Sequence, residues 1–315
     1  MSSTLPVSEI DIDDGYYRIT ADTEIDTLAL SIREIGLINP PLVRKMGQGF
    51  RIVSGFRRIG ALISNGESFV QTRVVSENKD TDLSCALSAV AENAFQRELT
   101  TLEQARGVRL LANYLDIRSI AAQSQGIFKI QMNAAHVERL LSLVSLPLEI
   151  QSLLASDRLS MTAALKLHGK DFQTLSAFGR LFSSIRVGLN KQVEIITHIH
   201  EIASREGSTS IVVLLSPPVL SILTDDKTDE SRKGNLLRAY LVQRRYPEIS
   251  RRHAEFSARV KTLGLGPGIR IEPPVNFEAM AYSLILQFTS YENLKAQLNT
   301  VQSLGDNPDM EQLFQ

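Results

Sequence analysis

The sequence predicts a multidomain α+β protein. It should have a small α/β domain over residues 1–97, an all-α domain over 98–170, and a mostly helical C-terminal part over 171–315 with a short β element. Three observations lead there. Residues 50–61, FRIVSGFRRIGA, pass from strand-like alternation through a glycine into apolar helical spacing. From Thr100 onward, apolar residues recur at helical spacing behind capping residues. Residues 269–272 and 282–288 return to alternation ahead of a last helical pattern at 291–304.

Within the first domain, Val7, Ile10 and Ile12 suggest an opening strand, and residues 17–19 lead through a polar turn at Asp22 to an amphipathic helix over 25–35. Gly36 stops that helix, Pro40 and Pro41 stiffen the next loop, and a short strand begins at Leu42. Phe50 and Ile52 alternate as in a half-buried strand, Gly55 makes the turn, and a helix over 59–63 ends at Asn65-Gly66. Residues 70–75 form another strand, and a helix over 82–92, with Leu83, Leu87 and Val90 on its face, delivers Glu92 and Asn93 at its end. Short strands alternating with short helices make a layered α/β unit. A strand, a glycine and a helix start gather free backbone N–H groups and the positive helix end at one point, beside Arg57 and Arg58. The turn is therefore a candidate phosphate site. The bland alternative is a turn followed by solvated arginines.

Composition sets the outer limits. With 315 residues, 43% hydrophobic and 22% charged, the chain can bury a real core and divide into domains. No apolar run approaches the roughly 18 residues of a membrane span, and the first residues lack a secretory pattern, so a cytoplasmic location without membrane partners is expected. The single cysteine, Cys85, sits among Leu83, Leu87 and Val90 at helical spacing and reads as a buried core thiol. A net charge of −1 gives no global attraction to nucleic acid, so DNA binding would have to come from local patches.

Three blocks carry a family resemblance. They are Ser31-Ile32 with Gly36 and Pro40; Gly55, Arg57, Arg58 and Ala61; and Glu92-Asn93 followed by Gln96-Arg97. In this order the chain resembles, over about its first 170 residues, the ParB family of bacterial chromosome and plasmid partition proteins. In that family the blocks run Ser-Ile-x3-Gly-x2-Gln-Pro, Gly-Glu-Arg-Arg-x2-Ala and Glu-Asn-x-Gln-Arg. The resemblance implies a ParB/sulfiredoxin-like N-terminal domain that binds CTP with Mg²⁺. Its nucleotide site would comprise Gly36, Gly55, Arg57, Arg58, Ala61, Glu92 and Asn93. Arg57 and Arg58 would fork onto phosphates, and Glu92 and Asn93 would be the metal ligands.

Two departures bear on activity. Phe56 stands where the family has glutamate; it can neither order a water nor accept a proton, which argues against more than a weak CTPase, and no catalytic residue is assigned. One extra residue separates Asn93 from Gln96-Arg97. On a helix that turns a side chain by about 100°, so Arg97, the residue the resemblance matches to the family arginine, points differently from it and stands outside the site set above. Sulfiredoxins, which share the fold, resemble this stretch through Gly-Cys-His-Arg. Phe56 and Arg57 occupy the cysteine and histidine positions here, so that chemistry lacks its nucleophile. No acidic cluster with nuclease spacing is recognisable either.

In the second domain, Thr100 and Glu103 have the form of a capping box ahead of Ala105, Val108 and Leu111. Helices over 117–123 and 134–144 follow, with a loop around Gly126, as in a helix-turn-helix. The segment after 137 resembles ParB beyond its recognition helix. That would place Asn133, His136 and Arg139 at the DNA groove. The stretch 123–133 has several residues more than the tight family turn, which loosens the expected geometry. Eight Lys or Arg stand against five Asp or Glu over 101–170, a modest surplus for a duplex-binding face. A helical domain that only packs or dimerises is the alternative.

Beyond residue 171 no family is recognised. A helix over 192–203 carries His198 and His200, two apart and so poor joint metal ligands. Residues 232–261 hold nine Lys or Arg against two Glu, on a basic amphipathic pair of helices. Arg244 and Arg245 there are further DNA candidates, against the default of a solvated face. Residues 264–268, Gly-Leu-Gly-Pro-Gly, read as a linker, because a phosphate loop would need a following Lys-Ser/Thr and the proline removes a donor. The resemblance further implies a nucleoid-associated homodimer that acts as a CTP-dependent clamp or switch in partition, with DNA and a ParA-like ATPase as partners. The alternative is a ParB-fold transcriptional regulator or interaction scaffold that has lost hydrolysis.

Overall fold

A computed structural model describes residues 2–20, 24–75, 81–274, 277, 281–305, 307 and 310. The expected turn at Asp22 lies outside them. The chain divides into two compact units, residues 1–196 and 197–315, with the boundary inside one long helix.

The first unit opens with β1 (Ser2–Pro6), a 3-10 turn (Val7–Glu9) and β2 (Ile10–Asp11). Of the opening strand expected at Val7, Ile10 and Ile12, only Ile10–Asp11 is extended, Val7 opens the 3-10 turn, and β1 lies ahead of it. Then come α1 (Asp26–Ile35), β3 (Leu42–Met46), β4 (Gly49–Ser54), α2 (Phe56–Ser64), β5 (Phe69–Val75) and α3 (Thr81–Gln96). The five strands form one mixed sheet in the order β1-β5-β3-β4-β2. The β1/β5 and β3/β4 pairs are antiparallel, and the β3/β5 and β2/β4 pairs are parallel. Ile10, Val43, Ile52 and Val70 from the sheet pack with Ala29 and Ile32 of α1 and with Ile59, Ala61 and Leu62 of α2. This buried cluster is the driving core of the domain.

Three local expectations are corrected. The end of β4 does not alternate: Ile52, Val53 and Ser54 are all buried. Leu42 pairs with Ser54 whereas Val43 pairs with Ile52, so β4 carries one extra residue there, and α3 packs against this strand. Such a bulge re-aims side chains at the strand end. Second, α2 begins directly at Phe56, with Gly55 as its N-cap, rather than at Ile59. Third, α3 continues to Gln96, so Glu92 and Asn93 lie in its last turns and not at its end. Buried Ala94 holds that extra turn in place. The glycine stop at Gly36 is as expected, with φ +80° closing α1. Cys85 is buried within α3, and burial pushes its thiol up from the ordinary value.

Helices complete the first unit: α4 (Thr101–Leu111), α5 (Ile117–Phe128), α6 (Ala134–Val144), α7 (Leu148–Ala155), α8 (Met161–Leu167), α9 (Phe172–Ser184) and the start of α10 (Leu189–Arg205), which runs on into the second. Contacts of α4 with α6, α3 with α5 and α5 with α6 join these helices to one another and to the sheet domain through α3. Gly107 marks how close the approach is, since a Cβ there would lie 2.9 Å from Phe128 and 3.3 Å from Val90. The expected loop around Gly126 is helix. Ile127 and Phe128 are buried and lock the last turn of α5, which Lys129 ends at φ +63°.

The second unit holds α11 (Ser210–Leu214), α12 (Pro217–Thr224), α13 (Glu230–Arg245), α14 (Pro247–Thr262), β6 (Ile269–Glu272), β7 (Ser283–Leu286) and α15 (Tyr291–Leu304). The basic stretch is a helix pair broken at Tyr246-Pro247, as proline at a helix start allows. β6 and β7 form a two-stranded antiparallel sheet, and Phe256, Leu263, Ile271 and Leu304 build a local core beside it. The architecture is therefore multidomain α+β.

Candidate functional site

Gly55 is the pivot of the site. It sits at φ +94°, in the left-handed region, and a Cβ would stand 2.8 Å from Pro41 Cβ and 3.0 Å from Arg58 Nε. Only glycine meets both demands. The turn starts α2 without a side-chain cap, so the N–H groups of its first turn and the positive end of its dipole face outward together.

The two arginines behind Gly55 are held firmly. Arg58 Nη1 donates to Asn39 O at 2.7 Å, and its Nη2 donates to Glu92 Oε1 at 3.0 Å. This ties the proline loop, α2 and α3 together. Arg73 of β5 also reaches Glu92 Oε1, at 3.3 Å. Arg57 Nε and Nη2 both donate to Glu24 O, at 2.9 and 2.5 Å. Asn93 Nδ2 donates to Ala89 O at 2.8 Å, which satisfies the amide on its own helix.

These elements enclose a cavity of about 260 Å³, near the lower end of the roughly 300–1,000 Å³ of small-molecule sites. Gly55, Arg57, Arg58 and Asn93 line it, as the sequence suggested, and so do Arg97, Gln96, Ser54, Thr20 and Tyr17, which were not assigned. Three guanidinium groups and no carboxylate line the cavity among the described residues, so it is an anion-seeking hollow. Arg97 could have been found from Gln96-Arg97 in the third block, whereas Thr20 carries no sequence signal. Gly36, Ala61 and Glu92 do not line the cavity. Gly36 serves as the C-cap of α1, Ala61 is fully buried in the core, and Glu92 lies behind Arg58.

Phe56 forms a shared wall. It lines this cavity and a more apolar hollow of about 300 Å³ formed with Ile12, Ile25, Ile59 and Ile63. The guanidinium of Arg18 lies 5.5 Å from the Phe56 ring centroid, a cation–π contact.

Glu92 could hold magnesium only by releasing its present partners. The Glu92 carboxylate is engaged by two guanidinium groups, and no group of three His, Cys, Asp or Glu side chains suited to a metal occurs among the described residues. A magnesium ion takes most of its oxygens from substrate phosphates and water, with one or two carboxylates from the protein. No step is derived through it.

The helical candidates present a different surface. Asn133 is the N-cap of α6, its Oδ1 accepting from His136 N at 2.8 Å. His136 is half-buried and Arg139 exposed, while Val137, Leu140 and Leu143 face the core. The link between α5 and α6 is only residues 129–133, so the expected loose turn is in fact tight. Ser124 staples it: its Oγ donates to Ala121 O at 2.7 Å and accepts from Met132 N at 2.8 Å.

In the second unit, Arg244 and Arg245 already have partners. Arg244 grips Glu206 with Nε at 3.0 Å and Nη2 at 2.6 Å, and its Nη1 donates to Ser216 and Tyr240. Arg245 contacts His198 Nδ1 at 2.6 Å, pairs with Glu201 and stacks 4.5 Å from the Tyr246 ring centroid. Both side chains are thus held by partners within the second unit in this conformation.

A family model for the ParB N-terminal domain matches residues 2–93. Those residues span the sheet, α1, α2 and most of α3. The first domain belongs to the ParB family. The chain is 31% identical over 168 residues to the chromosome-partitioning protein ParB of Myxococcus xanthus, covering 52% of this chain and 54% of that one. It is 35% identical over 134 residues to the nucleoid occlusion protein of Geobacillus kaustophilus, covering 42% and 45%. It thus spans about half the length of these relatives. Among solved structures, a C-terminally truncated ParB from Caulobacter crescentus complexed with CTP-gamma-S aligns at 26% identity over 58% of this chain and 99% of that one, with a TM-score of 0.27. No helix among the described residues is long and apolar enough to cross a membrane.

Proposed function

We propose that the ParB domain binds a nucleoside triphosphate, CTP by its family resemblance, and that occupancy governs how the helices behind it hold DNA in chromosome or plasmid partition. The observation that carries this reading is the cavity at the β4–α2 turn, where Gly55, the first-turn N–H groups and Arg57, Arg58 and Arg97 converge with no carboxylate in the lining. Backbone donors at a helix start and forked guanidinium groups are what a polyphosphate needs. The cavity volume suits the phosphates, leaving sugar and base at the mouth.

Binding without efficient hydrolysis follows from the same lining. Phe56 supplies no base, and Glu92 is neutralised by Arg58 and Arg73. The domain limits 1–97, 98–170 and 171–315 enter as working divisions of this proposal. Asn133, His136 and Arg139 are the residues offered to DNA, on an N-capped, tightly turned helix pair. A homodimer, a ParA-like partner and a nucleoid location belong to the same proposal and rest on the resemblance.

Calorimetric titration of the full chain with CTP and ATP, with and without magnesium, tests it. Saturable CTP binding should be clearly weakened in Arg57→Ala and Arg58→Ala variants that still unfold cooperatively. Absence of binding by the folded wild type would overturn the nucleotide reading and leave an interaction scaffold. Loss of one charge-assisted contact should weaken binding by about tenfold or more.

A further inference from the structure

We propose that Glu138 sets the sequence preference of α6 on DNA, its carboxylate accepting a hydrogen bond from the exocyclic amino group of a cytosine in the major groove. The proposal rests on the DNA reading above and names the residue that makes that face selective. On α6, Ala135, Glu138 and Arg139 are exposed, while Val137, Leu140 and Leu143 are buried on the other side. At about 100° per residue, positions 135, 138 and 139 fall on one stripe, and 142 continues it. Glu138 O accepts from Ser142 Oγ at 3.0 Å, but the Glu138 carboxylate and the Arg139 guanidinium form no hydrogen bond or ion pair among the described residues.

That carboxylate differs from others in the helical domain. Of the five Asp or Glu over 101–170, Glu103 closes the capping box of α4 and pairs with Arg97, and Asp116 caps α5 by accepting from Arg118 N and Ser119 N. Both are spent on the fold. Glu138 lies in the second turn of the helix offered to DNA, one residue before Arg139. A carboxylate facing phosphates is repelled, and the base edges that welcome it in the major groove are amino donors. Cytosine presents such a donor alone, adenine presents it beside the N7 acceptor, and guanine and thymine present carbonyl acceptors. The carboxylate therefore prefers cytosine.

The neighbouring side chains do not replace it. Arg139 only donates. Asn133 spends its Oδ1 on His136 N at 2.8 Å, which removes the donor-and-acceptor pair with which an asparagine reads adenine. His136 is half-buried, and its ring nitrogens carry no negative charge. Glu138 and Arg139 thus set an anionic acceptor and a cationic donor on successive residues, suited to a cytosine and a guanine on adjoining base pairs. The cost is general affinity, since a negative charge at the duplex weakens contact with every sequence.

The test is selection from a pool of random duplexes with the full chain, comparing wild type, Glu138→Ala, Glu138→Gln and Arg139→Ala, followed by affinities for the enriched duplex and for random duplex at one fixed salt concentration. Because Glu138 is exposed, its variants should unfold at the wild-type midpoint. Wild type should enrich a motif with a fixed cytosine, and replacing that base should weaken wild type about tenfold but Glu138→Ala by no more than about twofold. Glu138→Gln should move the preference at that position to adenine, which glutamine reads with both ends of its amide. Both variants should hold random duplex more tightly than wild type, whereas Arg139→Ala should hold it more weakly. A motif unchanged in Glu138→Ala, with or without a gain on random duplex, overturns this proposal alone, as does duplex binding by wild type without any motif. No duplex binding by folded wild type overturns it together with the DNA reading.

Discussion

Gly55 combines two constraints that a sequence displays as one letter. A left-handed conformation costs a non-glycine residue roughly 1–2 kcal/mol, and the 2.8 Å approach to Pro41 adds a clash with a rigid ring. Gly55→Ala is therefore expected to destabilise the first unit by about 2 kcal/mol or more in urea unfolding and to abolish nucleotide binding. Glu103 makes a second prediction at this scale. Burial pushes its carboxyl up, but the bonds from Arg97 and Thr100 outweigh burial and hold it below its ordinary value of 4.5. A carboxyl depressed in the folded state stabilises fully above that ordinary value and stops stabilising as pH falls through its lower folded value. Unfolding midpoints measured from pH 6 down to pH 3 should fall more steeply for wild type than for Glu103→Gln.

Elements were legible where local chemistry fixes them. The capping box at Thr100 and Glu103, the glycine stop at Gly36, the span of α6 and the strand at β6 are as the sequence suggests. Thr100→Ala should cost about 1 kcal/mol in thermal unfolding, because it removes a cap. The α5–α6 turn was misjudged because Gly126 reads as a loop residue, whereas its neighbours Ile127 and Phe128 are held in the core. Ser124 is the element-scale test. With Ser124→Ala the N–H of buried Met132 loses its acceptor, and a loss of roughly 1–3 kcal/mol should show in urea unfolding, with DNA affinity weakened by the loosened turn.

At the scale of the whole molecule, the two compact units make ligand binding a local stabiliser. A ligand that binds only the native first unit stabilises it by RT ln(1 + [L]/Kd), about 2.7 kcal/mol at a hundredfold excess over Kd. Calorimetric scans with CTP should therefore raise the transition of residues 1–196 and leave that of 197–315 in place. A shift of both together would show that the units unfold as one.

The sequence by itself determined the α/β domain followed by helices, the strand–glycine–helix turn with Arg57 and Arg58, and the buried character of Cys85, because caps, glycines and apolar periodicity act within a few residues of themselves. Tertiary structure alone decided which of the matching residues share a cavity. Ala61 and Glu92 match the family pattern as well as Asn93 does, yet one is buried in the core and another is spent on Arg58 and Arg73. It likewise brought in Arg97 and engaged Arg244 and Arg245. Glu206, which holds Arg244, lies 38 residues before it, and Glu201 and His198 likewise come from another helix to hold Arg245. Long-range packing sets those pairings, and no spacing in the chain encodes them.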